Sequence, residues 1–153
     1  MIEQLNNSQH SVASQIYGVF QDSYKIEAAL IGTIHFPPLS RSVQNIESAT
    51  TLFYGYFEAN VLAAVIEISV TDTLLNIESL TVSPHFFRKG IAHKLLNFII
   101  STYQRPEAIV ETAAVNTPAI NLYRKQGFIV FKTWTPAHGI EKVAMLMKKG
   151  QST

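Results

Sequence analysis

The chain has no cysteine and little charge of either sign. Because cysteine is absent from all 153 residues, disulfides, thiolate metal ligands and a cysteine nucleophile are excluded. Charged residues make up 15% of the sequence and the formal net charge is +1, so we do not expect a domain that binds nucleic acid through a broadly basic surface. Any site for an anion must therefore be local.

Long uninterrupted apolar runs are also missing. The stretch MIEQLNNSQH has neither a basic n-region nor an apolar h-region, and the tract LFYGYFEANVLAAVIEISV is interrupted by Glu58, Asn60 and Glu67. We therefore predict no signal peptide, no membrane span and a cytoplasmic location. Since no repeat and no Ser/Gly linker divides the chain, residues 1–153 are predicted to form one domain.

Apolar spacing divides the first two thirds of the chain into helices and strands. Helical spacing predicts a helix over residues 9–30, and Ser42 is expected to cap a short helix that ends at Ser48. Aromatic and β-branched runs predict an antiparallel meander of three strands within residues 51–82. The helix predicted next, over residues 91–103, has four apolar residues on its core face: Ile91, Leu95, Phe98 and Ile99.

Four more elements are predicted: a strand at 108–115, a helix at 118–126, and strands at 128–135 and 142–149. Because a helix connects them, the strands at 74–82 and 108–115 should be parallel neighbours. The predicted fold is α/β (α+β), with a mixed, mostly antiparallel sheet of about six or seven strands flanked by about four helices.

The stretch PHFFRKGIAHKLL, residues 84–96, begins as a loop and continues as an amphipathic helix. The first turn of a helix has unpaired N–H groups and the positive end of the helix dipole, which together attract anions such as phosphate. Gly90 would let a ligand approach the backbone, and Arg88 and Lys89 would add positive charge. Alternatively, Gly90 is an ordinary loop glycine and both cations are solvated.

Two motifs in this order resemble the acetyl-CoA-binding core of the GCN5-related N-acetyltransferase (GNAT) family. The first is Gln or Arg, two residues, Gly, one residue, then Gly or Ala; residues 87–92 match it, with Phe87 in place of the usual polar residue. The second is carried by NTPAINLYRKQGF, whose matching residues are Asn116, Ala119, Leu122, Tyr123, Gly127 and Phe128. The resemblance covers residues 51–149.

The resemblance implies acetyl-CoA as co-substrate, with pyrophosphate on the glycine loop and pantetheine between two splayed parallel strands. The cofactor-binding residues that it implies are Leu80, Thr81, Val82, Phe87, Arg88, Lys89, Gly90, Ile91, Ala92, Asn116, Ala119 and Tyr123. Residues 51–149 would carry this core, and residues 9–48 the acceptor-side helices. The five histidines have no metal-ligand spacing, so no metal is expected.

The resemblance also implies that Tyr123 donates a proton to the departing CoA thiolate. A phenol has a reference pKa of about 10 and is protonated at neutral pH, so it can act in this way. Tyr123 is alternatively a core aromatic residue, and Asn116 is alternatively, or in addition, the cap of its helix.

A base or a water chain must also remove a proton from the acceptor amine. Glu111 lies five residues before Asn116, where the ribosomal-protein N-terminal acetyltransferases of the family carry a glutamate base. Glu78 shares a strand face with Leu80 and Val82 by period two. The sequence does not separate the two glutamates, and either is alternatively a solvated strand residue.

The predicted function is transfer of an acetyl group from acetyl-CoA to a primary amine by direct attack in a ternary complex. Alternatives are acetylation of a protein N-terminus or lysine, and a non-catalytic CoA-binding sensor or scaffold. The expected partner is a small-molecule or peptide amine, with no nucleic acid and no membrane, and a homodimer is expected from the family alone.

Acceptor choice is expected to depend on residues 15–41 and 133–142, where the resemblance is weakest. His35 and four aromatic residues are candidates for the pocket wall, although core packing explains the aromatic residues equally well: Tyr17, Phe20, Tyr24 and Phe36.

Overall fold

The computed structural model describes residues 1–32 and 37–149, and its elements follow the predicted order with one addition. The strands are β1 (Ile2–Leu5), β2 (Leu52–Glu58), β3 (Val61–Val70), β4 (Leu74–Val82), β5 (Glu107–Ala113), β6 (Ile129–Trp134) and β7 (Lys142–Lys148). The helices are α1 (His10–Ile31), α2 (Val43–Ser48), α3 (Ile91–Tyr103) and α4 (Thr117–Lys125), with short 3-10 turns at Pro37–Ser40 and Pro84–Phe86.

The seven strands form one mixed sheet, in the order β1-β2-β3-β4-β5-β7-β6. Neighbouring strands are antiparallel except β4 and β5, which are parallel and connected through α3. The predicted fold class and the predicted parallel pair are thus confirmed. None of the helices in the described ranges is long and apolar enough to cross a membrane.

Helices cover both faces of the sheet. On one face, α1 and α2 pack through a core that contains Ile16, Phe20 and Ile46. On the other face, α3 and α4 pack through a second core that contains Leu95 and Tyr123. The sheet therefore separates two hydrophobic layers, and residues of α1 and α4 can meet only where the sheet opens.

Local signals account for most element boundaries. The Ser42 hydroxyl accepts a hydrogen bond from the Asn45 N–H, so the predicted cap of α2 is confirmed.

The prediction for Phe98 was wrong: this side chain is 37% exposed, and Leu96 is fully buried in its place. The strand β1 was not predicted, because four residues with two exposed polar side chains carry too little pattern to be recognised.

The strands β4 and β5 diverge after four paired residues. Their parallel register runs from Leu74–Glu107 to Ile77–Val110 and ends there. In the neighbouring ladder, Ile77 pairs with Ile68 and Ser79 pairs with Glu67, so Glu78 is an extra residue in β4. Such a bulge bends the strand that carries it. The result is a gap between the second half of β4 and β5.

A buried ion pair joins the segment before α2 to strand β3 of the sheet. Arg41 donates from Nη1 and Nη2 to the two carboxylate oxygens of Glu67, at 2.5 and 3.0 Å. The Thr51 hydroxyl donates to Glu67 at 2.6 Å and the Ser79 hydroxyl at 3.4 Å. Glu67 is only 4% exposed, so its charge depends on these donors.

Replacement of Arg41 by Met should lower the free energy of unfolding by about 2 to 4 kcal/mol, because Glu67 would stay buried without a cation. Urea unfolding at pH 7 measures this loss. The control is Glu58→Gln, which breaks the surface pair of Glu58 with Lys89 and should cost at most about 1 kcal/mol. Equal losses in the two variants would contradict the assigned role of the buried pair.

Candidate active site

The loop before α3 has the backbone shape of an anion site. Gly90 has φ +71° and precedes the first residue of α3, and Arg88 has φ +65°, which is uncommon for a residue with a side chain. A Cβ atom added at Gly90 would meet nothing within 4 Å, so the space beside this backbone is open. The start of α3 is therefore open to the approach of an anion such as phosphate.

A cavity of about 570 Å³ runs from this loop towards the gap between β4 and β5. Its walls are formed by all six residues of the first motif, by Leu80 and Val82 of β4, by Ile26 and Leu30 of α1, and by one side of α4. Basic side chains lie at the loop end and apolar side chains along its length. This distribution suits a long ligand with a charged end and an apolar arm, as CoA is.

Backbone groups of β4 point into the gap. The Ser83 N–H donates to the Ala63 carbonyl oxygen at 2.8 Å, and in an antiparallel ladder such bonded pairs alternate with unbonded ones. Leu80 and Val82 occupy unbonded positions, so their N–H and C=O groups point away from β3 and towards β5. These are the groups that a pantetheine amide would reach.

A second cavity, of about 300 Å³, lies on the other side of the gap. Its walls come from α1, from β4 and β5, and from the loop between β6 and β7 that the sequence predicted as the other pocket wall. Acidic side chains outnumber basic ones in its lining: Glu27, Glu78 and Glu111 line it, together with Lys142 and His138. A cavity with this lining favours a cationic ligand.

The first turn of α4 separates the two cavities. The Asn116 Oδ1 atom accepts from the Ala119 N–H at 3.3 Å, so the proposed cap is present. The positions 116, 119 and 123 line both cavities, so these residues share a face of the helix. Ala119 leaves room beside Tyr123 because its side chain is a single methyl group.

Tyr123 is 4% exposed, and its ring packs against Phe128 with the two centroids 5.5 Å apart. Burial raises the pKa of Tyr123 above its ordinary value, and the negative charges of Glu27 and of ionised Tyr24 raise it further. The phenol is therefore protonated throughout the neutral range. It is both a core residue, as the alternative interpretation held, and a wall of both cavities.

Glu78 and Thr81 are oriented differently from what the sequence predicted. Glu78 does not share a face with Leu80 and Val82, because the bulge interrupts the alternation: its carboxylate accepts from Ser69 at 2.8 Å and from Asn76 at 3.1 Å. It still lines the smaller cavity.

Thr81, predicted to bind the cofactor, is buried on the opposite face of β4. Its hydroxyl donates to the Val65 carbonyl oxygen at 3.4 Å, within the ladder of β3 and β4. The ladder thus turns the Thr81 side chain away from the larger cavity. Lys89 lines that cavity, and its Nζ atom also donates to Glu58 at 3.2 Å.

Of the five residues proposed for the acceptor pocket, one lines the smaller cavity, two belong to the core and two lie outside the described residues. Tyr24 lines the smaller cavity, and burial raises its pKa to about 12, whereas Tyr17 and Phe20 belong to the core under α1. His35 and Phe36 lie outside the described residues.

Glu27 of α1 lines both cavities and was missed by the sequence analysis. It follows Phe20 and Tyr24 at helical spacing, i+7 and i+3, on the stripe that faces the core. An acidic residue at such a position is the signal that could have identified it. Within the described ranges, no group of three or more His, Asp or Glu side chains is arranged to hold a metal ion.

Comparison with known proteins agrees with this geometry. A model described as the Acetyltransferase (GNAT) family matches residues 14–128, most of the chain. The chain belongs to the GNAT family. The match begins in α1 and ends at Phe128, so it includes both motifs and the gap between the strands.

This GNAT chain is 36% identical over 141 residues to the UPF0157 protein YqkA of Bacillus subtilis (strain 168). The match takes in 92% of the chain but 41% of that relative, so the chain spans less than half the length of the curated protein it matches.

Two solved GNAT structures have the same fold. The ribosomal-protein-S18-alanine N-acetyltransferase from Escherichia coli has a TM-score of 0.77 at 18% identity, with coverage of 100% of this chain and 96% of that one. The PaiA N-acetyltransferase from Thermoplasma acidophilum, in complex with coenzyme A, has a TM-score of 0.75 at 20% identity, with coverage of 97% and 99%. Likeness at these identities establishes the fold.

The raised pKa of Tyr123 predicts a pH effect on stability. Because the unfolded chain loses the phenol proton first, this tyrosine contributes stability that is present below pH 10 and is lost as pH rises towards the folded pKa. Between pH 10 and 12 the unfolding free energy of wild type should fall more steeply than that of Tyr123→Phe, by up to about 1.4 kcal/mol per pH unit. Urea unfolding measures both slopes, and parallel curves would contradict the assignment.

Proposed function

We propose that this chain transfers an acetyl group from acetyl-CoA to a primary amine by direct attack within a ternary complex. The observation that carries the proposal is the meeting of two unlike cavities at Tyr123. The larger cavity has basic side chains at its loop end and apolar side chains along its length. The smaller cavity is lined by three carboxylates. Since the chain has no cysteine, an acetyl-cysteine intermediate is excluded.

The larger cavity would hold the cofactor. Backbone N–H groups at the start of α3 would bind the pyrophosphate, with Arg88 and Lys89 as counter-charges. The inward-pointing backbone of Leu80 and Val82 would bind the pantetheine amides, and this would orient the thioester towards Ala119 and Asn116. When bound, acetyl-CoA supplies an acyl carbon that an amine can attack.

Tyr123 would act as the proton donor. As the amine nitrogen forms its bond to the acyl carbon, the carbon–sulfur bond breaks and the thiolate sulfur takes the phenol proton. The raised pKa keeps that proton on Tyr123 until the charge develops on sulfur. Tyr123 then regains a proton from the nitrogen as the amide forms.

The acidic cavity would hold the acceptor, and the helices of residues 9–48 would supply one of its walls. A primary amine is mostly an ammonium ion at neutral pH, and carboxylates stabilise that ion before it is deprotonated. The base proposed from sequence was Glu78 or Glu111. Both line this cavity, Glu78 with bonds to Ser69 and Asn76 and Glu111 with a bond to Lys142 at 3.1 Å.

A second candidate is acetylation of a peptide N-terminus. Glu111 has the position that the sequence resemblance assigns to the base of N-terminal acetyltransferases, and its carboxylate lines the smaller cavity. One protein of the same fold is a ribosomal-protein-S18-alanine N-acetyltransferase. The third interpretation, a CoA-binding module without chemistry, is disfavoured because Tyr123 lies where the two cavities meet.

Acetyl-CoA should bind in the low micromolar range or tighter and should raise the melting temperature, since it binds only the folded chain. Gly90→Glu should abolish binding, because a side chain and a negative charge would fill the open space at the start of α3. Calorimetry measures both. Gly18→Glu makes the same change at an exposed position of α1 and should bind normally. The proposal is refuted if calorimetry detects no heat of acetyl-CoA binding to the wild-type protein.

Tyr123→Phe should keep its affinity for acetyl-CoA and lose turnover by about 10-fold to 10⁴-fold, because only the proton donor is removed. The assay measures CoA release with a thiol reagent, to which a protein without cysteine adds no background. The acceptor panel contains spermidine, kanamycin, free amino acids, a peptide that begins with alanine and a lysine peptide. An unchanged turnover number on the best acceptor would remove Tyr123 from the mechanism.

A further inference from the structure

Glu27 lies where the two cavities join. The residues that line both cavities come from three elements, and they are Glu27, Leu80, Asn116, Ala119 and Tyr123. Glu27 is the carboxylate among them. It is half-buried in the last third of α1, on the sheet face opposite α4, and it reaches the α4 side through the opening between β4 and β5.

A hydrogen bond fixes Glu27 at this boundary. The Asn116 Nδ2 atom donates to Glu27 Oε1 at 3.2 Å, while Asn116 Oδ1 caps α4. One amide side chain therefore ties the carboxylate to the helix that carries Tyr123. The charge of Glu27 also raises the pKa of Tyr123, which indicates that the two groups are electrostatically coupled.

The other two carboxylates of the smaller cavity are placed differently. Glu78 accepts from Ser69 and Asn76, and Glu111 is half-exposed and paired with Lys142. Both line the acceptor-side cavity, and neither is among the residues that line the cofactor cavity. Glu27 is therefore nearer to the place where an amine would meet the thioester.

Burial also alters the proton affinity of Glu27. Desolvation raises the pKa of its carboxyl group, and the bond from Asn116 and the charge of Lys142 oppose this in part. A carboxylate with a raised pKa holds a transferred proton better than a solvated one.

We propose that Glu27 is the base that accepts the proton of the acceptor ammonium ion. This inference rests on the proposed function. One N–H bond of the ammonium breaks, an O–H bond forms on the Glu27 carboxylate, and the freed lone pair attacks the acyl carbon. The thiolate takes the phenol proton of Tyr123. The second proton that the nitrogen loses then restores the phenol. The proton on Glu27 passes to solvent, so one proton is released per turnover.

Other titratable groups share the site. Tyr24, Glu78, Glu111, His138 and Lys142 line the acceptor-side cavity with Glu27. Arg88, Lys89 and His93 line the cofactor cavity, and His93 is within 3.0 Å of Gln126. Because several charged groups surround Glu27, a pH profile of wild type alone would not assign a change in rate to this residue. The test therefore compares single variants with wild type over the same pH range.

Glu27→Gln separates a base from a residue that only positions Asn116. The glutamine oxygen can still accept the bond from Asn116 Nδ2, so a positioning role predicts a nearly unchanged rate. A base role predicts a loss of about 10² in kcat/KM at pH 7, with recovery as pH rises and free amine becomes abundant. The rate is measured from pH 6 to 10 with the best acceptor of the panel, and calorimetry should give an acetyl-CoA affinity within about threefold of wild type.

Asp22→Asn is the matched control, because it makes the same change at an exposed position of α1 and should follow wild type. Glu27→Asp should keep part of the rate and the wild-type pH dependence. The proposal is overturned if Glu27→Gln follows Asp22→Asn, or if Glu78→Gln or Glu111→Gln shows the loss and recovery instead. Failure of the proposed function is seen separately, in wild type that binds no acetyl-CoA or acetylates no amine, and that result would overturn both.

Discussion

The divergence of β4 and β5 is the constraint on which the site depends. One extra residue, Glu78, bends β4 away from its parallel neighbour after four paired residues. The opening leaves backbone groups of β4 free to bind a ligand, and it joins the two faces of the sheet. Glu27 on one face and Asn116 on the other come within 3.2 Å of each other through it. An unbroken sheet would keep these residues apart.

Charged side chains are distributed unequally between the two cavities, in a chain whose net charge is only +1. Arg88 and Lys89 line the larger cavity, Glu78 and Glu111 line the smaller one, and Glu27 lines both. An anionic ligand and a cationic one would thus enter from different sides. The two ligands would therefore not compete for the same binding site.

Pattern in the sequence was sufficient for most of the fold and for one side of the site. Periodicity located four helices and six strands, and the two motifs located the loop at Gly90 and the face of α4 that carries Tyr123. The bulge was not visible, because one inserted residue leaves an alternating pattern nearly intact. The predicted face of Glu78 was therefore wrong. Glu27 lies 89 residues from Asn116, so no local motif connects the two.

Burial affects both ionisable groups at the cavity boundary, Glu27 and Tyr123. It raises the pKa of Glu27 and that of Tyr123, and the negative charge of Glu27 holds the phenol proton in place. If Glu27 takes a proton from the ammonium ion, that negative charge disappears. The pKa of Tyr123 then falls in part, because the contribution of Glu27 is removed while burial, the larger cause, still raises it. If Glu27 is the base, proton acceptance on one side of the boundary would thus favour proton donation by Tyr123 on the other.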